Sequence, residues 1–70
     1  MLKTTNQSIK QILAAAATPT VADELAAAGV VRGQYGVTAW RAIHLIRILV
    51  ADGKLIQSYD SLNCPIYRSA

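Results

Sequence analysis

The longest helical pattern in the chain, Val37–Gly53 (VTAWRAIHLIRILVADG), constrains everything around it. It holds the only Trp, the only His and two of the four Arg. On a helical wheel of about 100° per residue centred on Ile46, one apolar stripe appears. Ala39, Ala42, Ile43, Ile46, Leu49 and Val50 fall within roughly 60° of the centre. Trp40, Arg41, His44, Arg47 and Ile48 occupy the opposite side. One face is therefore built to be buried, and the other carries groups suited to contacting a partner. Gly53 is the expected stop, because glycine takes the left-handed conformation past a helix end at little cost.

A long amphipathic helix needs a core to lie on, and composition says what that core contains. The chain has 70 residues, 53% of them hydrophobic and 16% charged, with no Phe. It is expected to form a single domain over residues 1–70. At this size only about 60% of the unfolded surface is buried, so the core is small. It must be built from Ile, Leu, Val and Ala, an aliphatic, Ala-rich mixture that favours helix over sheet and argues against disorder. The formal net charge is +3, which favours contact with polyanions without specifying one.

The single cysteine, Cys64, has no partner in the chain for a disulfide, which points to a reducing, cytoplasmic setting. No apolar run approaches about 18 residues, so no membrane span is expected. The segment Lys10-Gln-Ile-Leu-Ala-Ala-Ala-Ala has some leader-like character. Pro19, Asp23 and Glu24 cut it short, and no secretory leader is expected.

Before the long helix the chain divides at its punctuation residues. Met1–Lys3 is expected to be a frayed start. Thr4 and Gln7 have the spacing of a capping box, with Thr4 as the N-cap. Ile9, Ile12, Leu13 and Ala16 follow at helical spacing, predicting a first helix over about Thr5–Ala17. Thr18-Pro19 ends it, since the residue before proline avoids the α region, and a short extended piece follows. Thr20 is the expected cap of a second helix, with Asp23 and Glu24 at its positive end and Gly29 closing it. Val30–Gly36 (VVRGQYG) is a seven-residue turn.

After Gly53 the period drops from 3.6 to about 2. Lys54–Tyr59 reads as a strand, and Asp60-Ser61-Leu62-Asn63 as a turn made by side chains that bond their own backbone. Cys64–Arg68 returns as a second strand. Pro65 lacks an N–H, which places it at the strand's start or on a sheet edge. The chain is thus mainly α with a small β-hairpin. Three helices plus a wing is the element order of a winged helix-turn-helix, whose third helix enters the DNA major groove.

The stretch VTAWRA with its aliphatic continuation, then DGKLIQS and a hairpin ending in IYRS, resembles the small winged-helix regulators of the PapI and FaeA type. Those are fimbrial-operon transcription regulators. The resemblance spans about residues 18–69 and is most specific at Val37, Thr38, Trp40, Ala42 and Gly53. It implies a winged-helix fold and DNA binding. The turn VVRGQYG is longer than the family pattern, and the hairpin lacks the family's basic cluster.

From the residues themselves, Thr38, Arg41 and His44 are expected to reach bases or phosphates, because the N-terminal part of a recognition helix lies deepest in the groove. Arg can grip guanine O6 and N7 with two hydrogen bonds, or bind phosphate. Arg47, further along, is expected to reach phosphate. Thr20 and Lys54 flank this face, and Arg32, Gln34 and Tyr35 come from the turn. The competing view of each is an ordinary solvated surface. Trp40 is either a boundary aromatic capping the core, a lid over the Arg32–Tyr35 turn, a group against DNA sugars, or, with Ile48, part of an interface. Tyr67 is expected to pack in the core or on the sheet.

No catalytic set emerges. The four acids, Asp23, Glu24, Asp52 and Asp60, sit at helix ends or in a turn. His44 and Cys64 have no third group to orient them, and the chain lacks the ligands for zinc. No enzyme activity, cofactor, metal or small-molecule substrate is expected. The leading expectation is a sequence-specific transcription regulator that binds double-stranded DNA, as a monomer, as a homodimer or with a partner regulator. The alternative is a winged-helix protein-interaction module, a phage- or plasmid-type adaptor or inhibitor, using Trp40, Ile48 and the hairpin.

Overall fold

A computed structural model describes residues 3–70, with side chains from residue 4 onward. The expected frayed start at Met1–Lys3 lies outside the described residues, apart from the Lys3 backbone. In chain order the elements are α1 (Lys3–Ala15), β1 (Thr20–Val21), α2 (Ala22–Ala28), α3 (Ala39–Ala51), β2 (Leu55–Tyr59) and β3 (Pro65–Ser69). Three helices and a three-stranded antiparallel sheet in the order β1-β3-β2 make a mixed α/β fold. Among the described residues no helix is long and apolar enough to cross a membrane.

Each helix of the sequence reading is present, with ends displaced by a residue or two. Thr4 is not an N-cap, because α1 already includes it; its hydroxyl donates to the Tyr35 carbonyl at 2.8 Å instead. The far end of α1 is closed by Ser69, distant in sequence, and by nearby Thr20. Ser69 N–H donates to Ala16 O at 2.8 Å, Ser69 Oγ to Leu13 O at 2.6 Å, and Thr20 Oγ1 to Ala15 O at 3.0 Å. The unpaired carbonyls that every helix end leaves are thereby satisfied by the sheet.

Thr20 does not cap α2 either. It lies in β1, and its hydroxyl donates to Ala15 O and Thr18 O. Val21 is the N-cap and supplies no side-chain bond. Pairing with β3 decides this: Thr20 stands opposite Tyr67 and Val21 opposite Ile66. Holding both residues extended delays the helix to Ala22.

The turn before α3 is closed by a bridge between Val31 and Val37 and by a Gly36 N–H bond to Gly33 O at 3.1 Å. A Cβ on Gly36 would lie 2.1 Å from the Val31 carbonyl oxygen, so only glycine fits. Thr38 then caps α3, its Oγ1 accepting from the Arg41 N–H at 3.2 Å. At the other end Gly53 N–H donates to Val50 O and Lys54 N–H to Leu49 O, with Gly53 at φ 77°. That is the expected glycine stop in its Schellman form.

The core is one cluster: Ile12 of α1 and Ala16 just past its end, Leu25 and Ala26 of α2, Val37 from the turn before α3, Ala42, Leu45, Ile46 and Leu49 along α3, and Leu55 of β2. Ile46 and Leu49 are buried as expected. The buried stripe of α3 is turned from the expected one, however. Leu45 is inside, Ile43 and Val50 are half-buried, and Ala39 is exposed. The centre moves roughly 50° toward Leu45 at about 100° per residue. The cause is α1, whose Thr5 and Ile9 flank α3 on the Leu45 side. Fully buried Ser8 locks the helices further, donating from Oγ to Gly29 O. A Cβ on Gly29 would meet Ile12 Cγ1 at 2.7 Å. This glycine is required by close packing, since its φ of −82° suits any residue.

The hairpin follows the sequence reading. Asp60 Oδ1 accepts from the N–H groups of Leu62 and Cys64, and Asn63 takes a positive φ of 64°. Pro65 opens β3 as expected, but β3 is the central strand and not an edge. The position is tolerated because β1 reaches only Ile66 and Tyr67 and leaves Pro65 with no partner on that side. Tyr67 packs on the core from β3, as expected.

Candidate nucleic-acid interface

The outward side of α3 carries the candidate residues. With Ala42, Leu45, Ile46 and Leu49 turned inward, helical geometry leaves Trp40, Arg41, His44, Arg47 and Ile48 outside, and all five are exposed. Trp40 is 83% exposed, so it neither caps the core nor packs down over the Arg32–Tyr35 turn. Ile48 is 42% exposed, more than a boundary residue needs. Among the described residues, the side chains of Trp40, Arg41, His44 and Arg47 take no hydrogen bond within the chain.

The structure divides these residues between two flanks. Trp40, Ile43, His44 and Arg47 follow at i, i+3, i+4 and i+7 and line a shallow hollow of about 70 Å³. Arg41 points to the other flank. There it shares a groove of about 260 Å³ between α1 and α3 with Ile9, Ile48, Asp52 and Lys54. His44 is therefore grouped with Arg47 and Trp40, and Arg41 with Lys54. Sequence periodicity alone could not have revealed the groove, since it depends on where α1 lies.

The turn residues sit beside the start of α3. Arg32 and Thr38 border a hollow of about 340 Å³ formed with Val31, Gly36 and Val37. Gln34 and Tyr35 are exposed on the same turn. No acid occupies the first turn of α3, and its C-cap is Asp52. The start of α2 is the opposite case, with Asp23 and Glu24 in its first turn. Partial positive charge at a helix start attracts anions, but these carboxylates already occupy that field. Thr20 therefore lacks both the cap geometry and the electrostatics of a phosphate site. Among the described residues no three of His, Cys, Asp and Glu come together to hold a metal ion.

The chain matches no family model, and no curated protein or solved structure is significantly similar to it.

Proposed function

We propose that this chain is a winged-helix DNA-binding protein, a sequence-specific transcription regulator whose α3 enters the major groove of double-stranded DNA. The observation that carries this reading is the face of α3 itself. Its inward stripe is in the core, while the side chains of Arg41, His44, Arg47 and Trp40 stand exposed with no hydrogen bond inside the described chain. Helix, short strand, helix, long helix and hairpin is also the order in which winged helices present their third helix. Arg41 and His44 lie in the N-terminal half of α3, where side chains reach base edges. Arg47 and Lys54 contact phosphates, together with Arg32 from the turn. The Thr38 oxygen accepts from Arg41 N–H, which leaves its O–H free to donate to a phosphate. The hairpin tip contributes little to DNA contact. Its charged residue is Asp60, and Lys54 and Arg68 lie at the far end of the hairpin.

A second reading rests on Trp40 at 83% exposure and on the apolar α1–α3 groove: the same face takes a protein partner. Salt dependence separates the two, since counterion release makes DNA binding fall steeply with salt. The test is fluorescence anisotropy with duplexes selected from a random pool, at two salt concentrations, using folded variants. Arg41→Ala is expected to cost about 1–3 kcal/mol on the selected site and to relax choice at one base pair. Arg47→Ala is expected to weaken all duplexes alike and to lower the salt slope by about 0.9. Absence of salt-dependent binding, or silence of both Arg variants while Trp40→Ala abolishes partner binding, overturns the DNA reading.

A further inference from the structure

The three-stranded sheet has one long edge strand, β2, and that edge is complementary to itself. β1 closes the other side with only two residues and Pro19 just before them. β2 is a five-residue edge strand, Leu-Ile-Gln-Ser-Tyr, with neither a charge nor a proline inside it. Natural edge strands are usually blunted by such residues, because a bare edge templates pairing with another strand. Around it stand exposed apolar side chains: Ile56 at 45%, Tyr59 at 60% and Leu62 at 81%.

Which backbone groups the edge offers follows from the hairpin bonds. Asp60 N–H donates to Cys64 O at 3.0 Å, and Ala70 N–H to Lys54 O at 3.1 Å. Antiparallel pairs alternate between bonded and non-bonded. Lys54, Ile56, Ser58 and Asp60 therefore point their backbone groups at β3. Pro65, which has no N–H, fits opposite Tyr59 at a non-bonded pair. Leu55, Gln57 and Tyr59 point their N–H and C=O groups away from β3, at the open edge.

We propose that a second copy of this chain docks on that edge, β2 against β2, antiparallel about a two-fold axis at Gln57. Of the two-fold registers, this one pairs all three outward residues: Leu55 with Tyr59 of the second copy, Gln57 with its own counterpart, and Tyr59 with Leu55. The neighbouring registers leave one of the three unpaired. The same register sets Lys54 of each copy opposite Asp60 of the other. Both ends of the paired strands thus gain opposite charges, at non-bonded pairs where side chains approach closely. Ile56 meets Ile56 of the second copy on the diagonal across the axis, covering apolar surface that is exposed in one copy alone. The product is a continuous six-stranded sheet with an α3 helix on either side of the axis. This inference does not rest on DNA binding, and its test contains no DNA.

The test is sedimentation equilibrium of the full chain from about 1 µM to about 1 mM, paired with amide exchange by NMR. A reversible dimer is expected, with the Gln57 and Tyr59 amide protons exchanging more slowly as concentration rises. Ile56→Lys keeps an exposed position exposed, so the fold should survive, and it is expected to raise the dimer Kd at least about tenfold. Lys54→Glu sets a carboxylate opposite Asp60 of the second copy. It should raise Kd as well, by an amount that shrinks at high salt. A monomer at every concentration overturns the proposal. So does a dimer indifferent to both substitutions, or one in which the Gln57 and Tyr59 amides exchange at a constant rate.

Discussion

Leu25 and Leu49 are both core leucines, yet truncating them to alanine should cost different amounts. Each change removes three carbons, worth roughly 2.4 kcal/mol at about 0.8 kcal/mol per buried group. The cavity left behind adds to this according to how well its walls can collapse. Leu25 is fully buried and lines neither the α1–α3 groove nor the hollows beside α3, so its cavity is expected to stay closed. Leu49 lines the groove between α1 and α3, where half-buried Ile9 and exposed Ile48 have room to move inward. Leu49→Ala should therefore cost about 2–3 kcal/mol and Leu25→Ala about 3–5 kcal/mol. At about 0.05–0.15 kcal/mol per residue, a chain of 70 residues has roughly 4–10 kcal/mol to lose. Urea titration at constant m-value measures both, and the Tm should fall by about 4–8 °C per kcal/mol. If Leu49→Ala melts with the parent, the phase assigned to α3 is wrong. If it costs more than Leu25→Ala, the groove does not relax as described.

Gly36→Ala should destabilise more than an ordinary turn substitution, because its new methyl meets the Val31 carbonyl and not a movable side chain; thermal melting beside Gln34→Ala, an exposed position of the same turn, checks this. Thr38→Ala should cost about 0.5–2 kcal/mol through loss of the α3 cap. Thr20→Ala acts instead on the junction of α1 and β1, and amide exchange should show loosening at Ala15–Val21 with α2 left intact. Cys64 is an exposed free thiol at the hairpin, so Cys64→Ser should stay within about 0.5 kcal/mol of the parent. Reductant should leave the Tm unchanged; a reductant-sensitive covalent dimer on a non-reducing gel would contradict that.

The parts of this fold that local chemistry decides were legible in the sequence. The α3 helix and its Gly53 stop, the break at Thr18-Pro19, and the Asp60–Asn63 turn each follow from a few neighbouring residues. What escaped depends on partners far along the chain. Thr20 has every local property of an N-cap, yet pairing with Tyr67 draws it into a strand. Pro65 marks the strand's start, as its missing N–H allows, but whether that strand is an edge was not local: the two-residue β1 pairs beyond Pro65 and leaves β3 in the middle. Leu45 lies outside the predicted stripe and inside the core, because α1 covers that side of α3. Of the candidate site, the outward face of α3 was visible from its period. Its division into a Trp40–His44–Arg47 flank and an Arg41–Lys54 flank was not.

The position of β3 bears on how the chain reaches this structure. Both other strands pair only with β3, and β3 follows them in sequence. Ser69 also closes the end of α1, through a bond that spans 56 residues. During synthesis β1 and β2 therefore wait without ladder partners, and α1 keeps open carbonyls at its end, until Pro65–Ser69 has emerged. Loop-closure entropy must be met before those distant contacts form. The sheet and the closed end of α1 are therefore expected to form together, and late, once the first helix and the last strand can meet.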